Sequence, residues 1–291
     1  MQTTISSSKL KAVINTFGAE LHSLCDHNDT EYIWQANPAI WGRHAPVLFP
    51  FICNTASKKY TYNDKEYSLS NHGFARDSEF ELLFSKDNCA EYLLKSNDET
   101  LKIYPFEFEL YVNYQINENE LKTKFTVKNT DNKDIYFFIG GHPAFKCPIT
   151  SSDNFGDYNV EYEYPETITQ NLNDGTIMTI LDDSKKIAIS HNLFANDVFM
   201  KEKPKSSWIA LKSKTSDYKI TLHFDNGGCI AVWSAWFDDE DKTKQAEFVC
   251  LEPWSSVPVY CDNEEDIAKM PHAIKLSANG SYDFSYTITI G

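Results

Sequence analysis

Positive charge is what this sequence has least of. In 291 residues, 27 Lys and Arg face 42 Asp and Glu, giving a formal net charge of −15, and Arg is depleted across the whole chain. No cluster of Lys or Arg is interleaved with aromatics. Nucleic-acid binding is driven by phosphate neutralisation, so a field of this sign excludes that partner. The same field repels anions at long range, although a well-placed Arg can still hold one phosphate. Long apolar runs are also missing. No stretch approaches the about 18 residues of a membrane span, and the opening MQTTISSSKLKAV has no apolar signal-peptide core. A cytoplasmic chain with no membrane partner is the expectation.

Paired cysteines are absent too. Cys25, Cys53, Cys89, Cys147, Cys229, Cys250 and Cys261 are odd in number and contain no CxxC, which argues for reduced thiols and against a disulfide framework. His22, His27, His44, His191, His223 and His272 lack metal-ligand spacing with one another or with Cys, so no metal site is expected. Sustained helical periodicity is missing, with a short helix over Glu264–Met270 the one candidate. There is no Pro/Ser-rich linker, no repeat and no low-complexity tract, so residues 1–291 read as one domain.

What fills the chain is alternation of period two. Phe108, Leu110, Val112, Tyr114 and Ile116 alternate with polar residues, and after Asn117-Glu118-Asn119-Glu120 so do Leu121, Phe125 and Val127. Side chains alternate across a strand, so this predicts a hairpin with one dry face. Similar reasoning predicts hairpins around Asn63-Asp64, between Tyr60/Tyr62 and Tyr67/Leu69, and around Asp225-Asn226-Gly227-Gly228. Tyr282, Phe284, Tyr286, Ile288 and Ile290 close the chain as a further strand. With 42% hydrophobic and 14% aromatic residues, a sizeable core is available. The pattern predicts an all-β antiparallel sandwich.

Four segments read as neither plain strand nor plain loop. In Trp41-Gly42-Arg43-His44-Ala45-Pro46-Val47-Leu48-Phe49-Pro50, two prolines bracket an apolar run; Arg43 there is either a surface residue at a corner or a ligand-binding group. Asn71-His72-Gly73-Phe74-Ala75-Arg76 sets a His and an Arg among small residues that permit close approach, in a solvent-facing turn or in a site. In Phe137-Phe138-Ile139-Gly140-Gly141-His142-Pro143-Ala144-Phe145 an apolar strand breaks at a His whose backbone the Pro holds extended. That suits a general acid or base, or a satisfied core His. In Phe248-Val249-Cys250-Leu251-Glu252-Pro253-Trp254 a carboxylate follows an apolar run, and burying it requires a reason. The reason is an ion pair with Arg43 or Arg76, a strand end at solvent, or a base tuned by its surroundings.

At these residues the chain resembles the aldose 1-epimerase (galactose mutarotase-like) family, and within it the LacX-like branch. Gly18-Ala19-Glu20-Leu21 and Tyr32-Ile33-Trp34-Gln35 precede the Pro46–Pro50 segment, His72-Gly73-Phe74-Ala75-Arg76, Gly141-His142-Pro143-Ala144-Phe145 and Glu252-Pro253-Trp254, in the family's order from end to end. The resemblance implies a galactose-mutarotase-like antiparallel β-supersandwich with an open cleft on one sheet. It places the acid on His142, the base on Glu252, an accessory substrate-binding His on His72 and the binding Arg on Arg43, with Arg76 a second candidate. Asp197, in Asn196-Asp197-Val198-Phe199, matches a substrate-binding Asp or is an ordinary loop Asp. Trp254 with Phe74 or Phe145 supplies aromatic stacking. Two departures fall near the implied cleft and bear on substrate identity: Cys53-Asn54 where relatives carry Gly, and Ser255-Ser256-Val257-Pro258 after Glu252-Pro253-Trp254.

The implied chemistry opens and recloses the hemiacetal of a hexose, free or phosphorylated, in a monomer or homodimer. One group gives a proton to the ring oxygen while another takes the proton of the C1 hydroxyl. No cofactor, metal or covalent nucleophile is needed. His142 and Glu252 are expected to face each other across the width of one pyranose ring. Two alternatives stand beside this reading: a hexose-6-phosphate 1-epimerase using the two arginines, and a carbohydrate-binding protein without catalysis, which needs no acid/base pair.

Overall fold

The computed structural model describes residues 1–68, 70–172, 175–238, 245–262 and 264–291. Almost all regular structure is antiparallel sheet. Nine strands form one sheet in the order Ile177–Ala188, Tyr158–Asn171, Trp208–Ser213, Lys219–Phe224, Ser281–Ile290, Glu120–Asn129, Phe108–Asn117, Cys89–Lys95 and Glu81–Lys86. A second sheet runs Phe199–Glu202, Cys229–Trp233, Phe248–Trp254, Gly140–Gly141 and Val47–Leu48, with Ala144–Lys146 also pairing to Phe248–Trp254. Three strands between Gln2 and Asp26 make a smaller sheet.

The predicted hairpin forms in full register, from Asn117 opposite Glu120 to Phe108 opposite Asn129. Its alternation is realised as burial: Phe108, Leu110, Val112 and Ile116 are closed to solvent and their neighbours are not. The Lys59–Tyr62 and Lys65–Ser68 hairpin also forms, with Asn63 and Asp64 both at positive φ (50° and 60°) as a tight two-residue turn needs. Residue 69, included in that reading, lies outside the described residues.

Two expectations are corrected. Asp225-Asn226-Gly227-Gly228 does not join a hairpin. Lys219–Phe224 pairs inside the nine-stranded sheet, whereas Cys229–Trp233 pairs inside the other, so the turn is a crossing between layers. Gly228 is needed for close approach: a Cβ there would lie 2.2 Å from the Trp254 carbonyl oxygen. Turn chemistry reports a reversal, not which sheet takes the next strand. Nor is Glu264–Met270 a helix. It bridges to the Lys59–Tyr62 strand, Thr61 donating to Glu265 and accepting from Ile267, and then turns. Among the described residues the one α-helix is Asp98–Ile103. Asn97 caps it through the amides of Glu99 and Thr100, and the Thr100 hydroxyl accepts from the Asn97 amide. Six residues are too few to show a helical period, and with Thr100 in place of Glu or Gln at the third position the capping box carries no standard signature.

The two large sheets bury their facing sides against each other. Leu110, Phe125, Leu222 and Ile288 of one share a continuous apolar cluster with Leu48, Ile230, Val249 and Leu251 of the other. Phe49 is a junction of this core, with ring centroids 5.0 Å from Phe108, 5.7 Å from Phe137 and 5.9 Å from Tyr104. Its carbonyl also accepts from the amides of Phe74 and Ala75, tying the His72 loop to the sheet. Phe49→Ala is expected to lower stability by about 3–5 kcal/mol, the cost of emptying a buried aromatic site. Urea unfolding should show a lower midpoint at unchanged slope; a loss below about 1 kcal/mol would contradict this packing role.

Candidate active site

The strand Phe248–Trp254 decides where the chemistry-bearing groups meet. Val249 and Leu251 point into the main core, while Phe248 and Cys250 belong to a smaller cluster on the other face with Trp34, Trp41 and Trp233. Glu252 follows on that second face by alternation. Gly140 pairs with Trp254 and Ala144 with Cys250. Those two pairings set residue 142 opposite residue 252. Directly opposed side chains on adjacent strands are near neighbours, and His142 Nε2 lies 3.1 Å from Glu252 Oε2. The expected gap of one pyranose width is therefore corrected: the two groups touch.

Both groups lie at the floor of a cavity of about 430 Å³ lined also by Trp41, Cys53, Asn54, Asn71, His72, Arg76, Asp197, Val198, Trp233, Trp254 and Tyr260. His142 is 5% exposed and Glu252 1%. The imidazole is held on three sides. Trp41 stacks on it at 5.1 Å, Trp233 meets it edge-on at 5.7 Å and His72 stands nearly perpendicular at 5.4 Å. Burial pushes the Glu252 carboxyl well above the usual carboxylate range, and the negative charge of Asp197 adds to this against a lowering contribution from the Trp254 indole. Burial, then His72, Arg76 and Arg43, push His142 well below the ordinary imidazole value. Both shifts disfavour the charge-separated pair in a dry site. The pair is therefore a neutral carboxyl beside a neutral imidazole, within 3.1 Å but outside hydrogen-bond geometry, and both Glu252 oxygens and His142 Nδ1 are buried without a partner.

His72 sits in the left-handed region at φ 64°, followed by Gly73 at φ 72°, whose missing Cβ would lie 2.2 Å from the Phe49 carbonyl oxygen. Its Nδ1 accepts from the Cys53 amide at 3.1 Å. The ring proton is therefore on Nε2, and this buried His is a neutral donor. Burial first, then the charges of Arg76 and Arg43, hold its pKa down to about 3. Asp197 is placed by its own left-handed backbone, φ 69°, and by the Trp233 indole, whose Nε1 donates to Oδ1 at 2.8 Å. The second carboxylate oxygen accepts no hydrogen bond from that indole. Asn54 Oδ1, Arg76 Nε and Trp254 Nε1 are buried without a hydrogen-bond partner. Such groups are costly unless a polar ligand meets them.

Of the residues singled out in the sequence, His142, Glu252, His72, Arg76, Asp197 and Trp254 converge on this cavity. Arg43 and Phe145 do not line it. Arg43 clamps the outside of the His72–Arg76 loop, donating to Asp77 Oδ1 at 2.7 Å and to the Arg76 carbonyl at 3.3 Å. Phe145 is fully buried in the main core, opposite Val249, because the alternation that aims Glu252 at the cavity aims residue 145 the other way. Cys53 and Asn54, expected near the cleft, line it, whereas Trp41, Trp233, Asn71 and Tyr260 were missed as lining residues. Trp41 and Asn71 stood inside segments already singled out; Trp233 and Tyr260 carried no sequence signal beyond being aromatic. Of the two departures from the family pattern, Cys53-Asn54 lines the cavity and Ser255–Pro258 does not; Val259, just after the second, donates to the carbonyl of Ile52, just before the first, and Tyr260 lines the cavity with Cys53 and Asn54.

Glu20, His22 and His44 also converge, their donor atoms within 4.8 Å of one another. The two rings are stacked at 4.0 Å with planes 16° apart, so one ion cannot lie in both ring planes. Glu20 Oε1 instead accepts from the amides of His44 and Ala45, fixing the entry to the Val47–Leu48 strand.

The neutral buried His72 makes stability pH-dependent. Below about pH 6.5 the unfolded chain takes up a proton that the folded one refuses down to about pH 3, so stability falls as the pH falls. Between pH 7 and pH 5 this group alone withdraws about 2 kcal/mol. His72→Asn keeps an acceptor and tolerates positive φ, and is expected to flatten the pH dependence of the unfolding midpoint by that amount. An unchanged profile would show that His72 already titrates normally in the folded protein.

A model of the aldose 1-epimerase family matches residues 1–266. Protein LacX, in its plasmid form from Lactococcus lactis subsp. lactis, is 30% identical over 307 aligned positions that cover 100% of this chain and 99% of LacX. The structure of a galactose mutarotase related enzyme from Lactobacillus acidophilus superposes with a TM-score of 0.91 at 32% identity, covering 100% of this chain and 97% of that one. A galactose mutarotase-like protein from Lactobacillus casei gives a TM-score of 0.90 at 29% identity, with both chains covered in full. The all-β architecture is thus galactose mutarotase-like. With sequence and fold matched from end to end around a buried imidazole–carboxyl pair, the chain belongs to the aldose 1-epimerase family of carbohydrate isomerases.

Proposed function

We propose that the protein is a mutarotase that interconverts the α and β anomers of a neutral hexose by proton transfer alone. The observation that carries this reading is the 3.1 Å contact of His142 and Glu252 at the floor of the cavity. Ring opening requires a proton to reach O5 as the C1–O5 bond breaks and another to leave O1 as C1=O1 forms. O5 and O1 are both bonded to C1. An acid and a base side by side therefore reach both, which a pair separated by a full ring would not. After rotation about C1–C2 the ring closes on the other face of the carbonyl, and each proton returns along the reverse path. The pair ends with the one proton it began with, so no net charge is moved.

The surrounding groups hold the sugar still while this happens. His72 Nε2–H donates to a hydroxyl, Asp197 accepts from one, and Arg76 with Asn54 meets neighbouring oxygens. The faces of Trp41, Trp233 and Trp254 cover the apolar C–H face of the ring. A neutral substrate fits the charge balance better than a phosphorylated one. Of the chain's two arginines only Arg76 lines the cavity, alongside the carboxyls of Asp197 and Glu252, and Arg43 is committed to Asp77.

Glu252→Gln preserves shape while removing the proton relay. It is expected to slow mutarotation by about 10²–10⁴-fold with sugar affinity kept, read by polarimetry on a freshly dissolved α-anomer. Near-normal rates would remove Glu252 from the chemistry; no rate even in the natural protein would favour a non-catalytic sugar binder. In the natural protein the acid limb of the rate profile is expected below pH 6.5, since His142 is held below its ordinary value and double protonation is what silences the pair. An acid limb above pH 6.5 would contradict that environment. A free hexose is expected to outcompete its 6-phosphate in the same assay, and the reverse preference would support the phosphate-specific alternative.

A further inference from the structure

Two residues apart on one strand, Cys250 and Glu252 project from the same face. The pairings of Gly140 with Trp254 and of Ala144 with Cys250 bring His142 to that face from the neighbouring strand. A thiol thereby joins the imidazole and the carboxyl. One donor atom each of His142, Cys250 and Glu252 lies within 4.8 Å of the other two. Proton transfer to and from a sugar uses two of these groups and has no part for the third. Opposite Cys250 the partner strand carries Ala144, whose methyl group takes up little of the space beside the sulfur.

These donors are free where those of the other His–carboxylate cluster are engaged. At Glu20, His22 and His44 two amides hold the carboxylate and the rings are stacked. Both Glu252 oxygens and His142 Nδ1, in contrast, are buried without a hydrogen-bond partner, and Cys250 is a free, buried cysteine. One sulfur, one imidazole nitrogen and one carboxylate oxygen suit a four-coordinate borderline ion such as Zn²⁺, which binds them at about 2.0–2.3 Å. Donors within 4.8 Å of one another meet those lengths by moving inward about 1 Å at most. Mg²⁺ and Ca²⁺ require more oxygens than this set offers. Charge balances as well. Burial, with the Glu252 carboxyl adding to it, keeps the Cys250 thiol protonated until an ion arrives. A coordinating thiol is deprotonated outright, so binding sends one proton from Cys250 and one from Glu252 to solvent, while the neutral imidazole gives a lone pair. The dication with a thiolate and a carboxylate carries no net charge, as a dry site requires. His142 and Glu252 line the cavity, which supplies both the route in and the fourth coordination position.

We propose that His142, Cys250 and Glu252 form an inhibitory site for a thiophilic divalent cation, Zn²⁺ above all, at the floor of the cavity. The bound ion occupies the lone pairs that otherwise take up and return the sugar's protons, so turnover stops while it stays. This concerns regulation of the mutarotase site and rests on that reading for the effect on rate; the binding itself does not depend on it.

Co²⁺ serves as the spectroscopic probe. Titrated into the reduced, full-length natural protein, it is expected to give a thiolate-to-cobalt charge-transfer absorption that saturates at one equivalent, is displaced by Zn²⁺ and is removed by EDTA. In polarimetry Zn²⁺ should stop mutarotation, EDTA should restore it, and Mg²⁺ should leave the rate unchanged. Cys250→Ala, and Cys250→Ser where a smaller change of shape is wanted, should turn over sugar as fast as the natural protein in the absence of metal. Both should lose the absorption and raise the zinc concentration for half-inhibition about 100-fold, a scale that the loss of an outer-shell partner alone already reaches. No charge-transfer absorption in the natural protein, or one that survives in both Cys250 variants, would overturn the proposal. Loss of cobalt binding in His44→Ala would also overturn it, by moving the ion to the other cluster. Mutarotation indifferent to zinc defeats this inference alone. Cobalt bound through Cys250 in a protein that turns over no sugar defeats the mutarotase reading alone.

Discussion

One constraint organises the molecule: an imidazole and a carboxyl set opposite each other on neighbouring strands, in a place nearly closed to water. Burying either as a lone ion would cost several kcal/mol after relaxation. Buried together as a neutral imidazole and a neutral carboxyl they need no net charge. That solution holds only while the two side chains stay in contact, so their positions must be fixed by the backbone. Antiparallel pairing on both sides of residue 142 provides the fixing. The rest of the sheet then has to tolerate an interruption at its centre.

Tolerance comes from small residues and from packing. A Cβ on Gly140 would stand 2.8 Å from the Trp254 ring, and one on Gly141 would stand 2.6 Å from the Tyr286 ring of the opposing sheet. Gly141 thus lets the opposing sheet approach closely, immediately before the chain turns His142 toward the cavity. Pro143 follows, supplying no amide donor while its carbonyl accepts from Leu251. Left-handed backbone at Cys53, His72 and Asp197 completes the rim. These conformations are costly for residues other than Gly and persist only where surrounding structure over-determines them. Here the Phe49 carbonyl, the Cys53 amide and the Trp233 indole do so.

How much of this could be read beforehand follows from the range of the forces involved. Alternation encodes which face of a strand is dry, so the hairpin at residues 108–129 and the terminal strand were legible. Alternation does not encode which sheet a strand joins, and so the turn at Asp225–Gly228 looked like a hairpin. Glu252 stood out because a carboxyl after four apolar residues conflicts with its surroundings. Trp233 and Tyr260 did not, because an aromatic in a strand or turn conflicts with nothing. Phe145 was misplaced for a related reason. Nearness in sequence to His142 suggested nearness in space, but three positions along the chain reverse the face. Contact between residues 142 and 252 needed the strand register, and register is a long-range fact.

Charge gives the last step. A chain of net charge −15 with two arginines has few means to attract an anion. Asp77 reduces them further: it binds Arg43 at 2.7 Å and lies 3.7 Å from Arg76 Nε, so one carboxylate screens both. A neutral sugar is indifferent to that field, and Asp197, Asn54 and the His72 ring offer the cavity polar groups that need no long-range steering. The arginines then serve another purpose. From the rim they add to burial in depressing both His72 and His142. Cations at the rim help keep two imidazoles neutral, and a neutral His72 with its Nδ1 occupied can present only a donor to the cavity. The scarcity of positive charge in the sequence and the fixed polarity of the site are in this way connected through a single loop, residues 72–77.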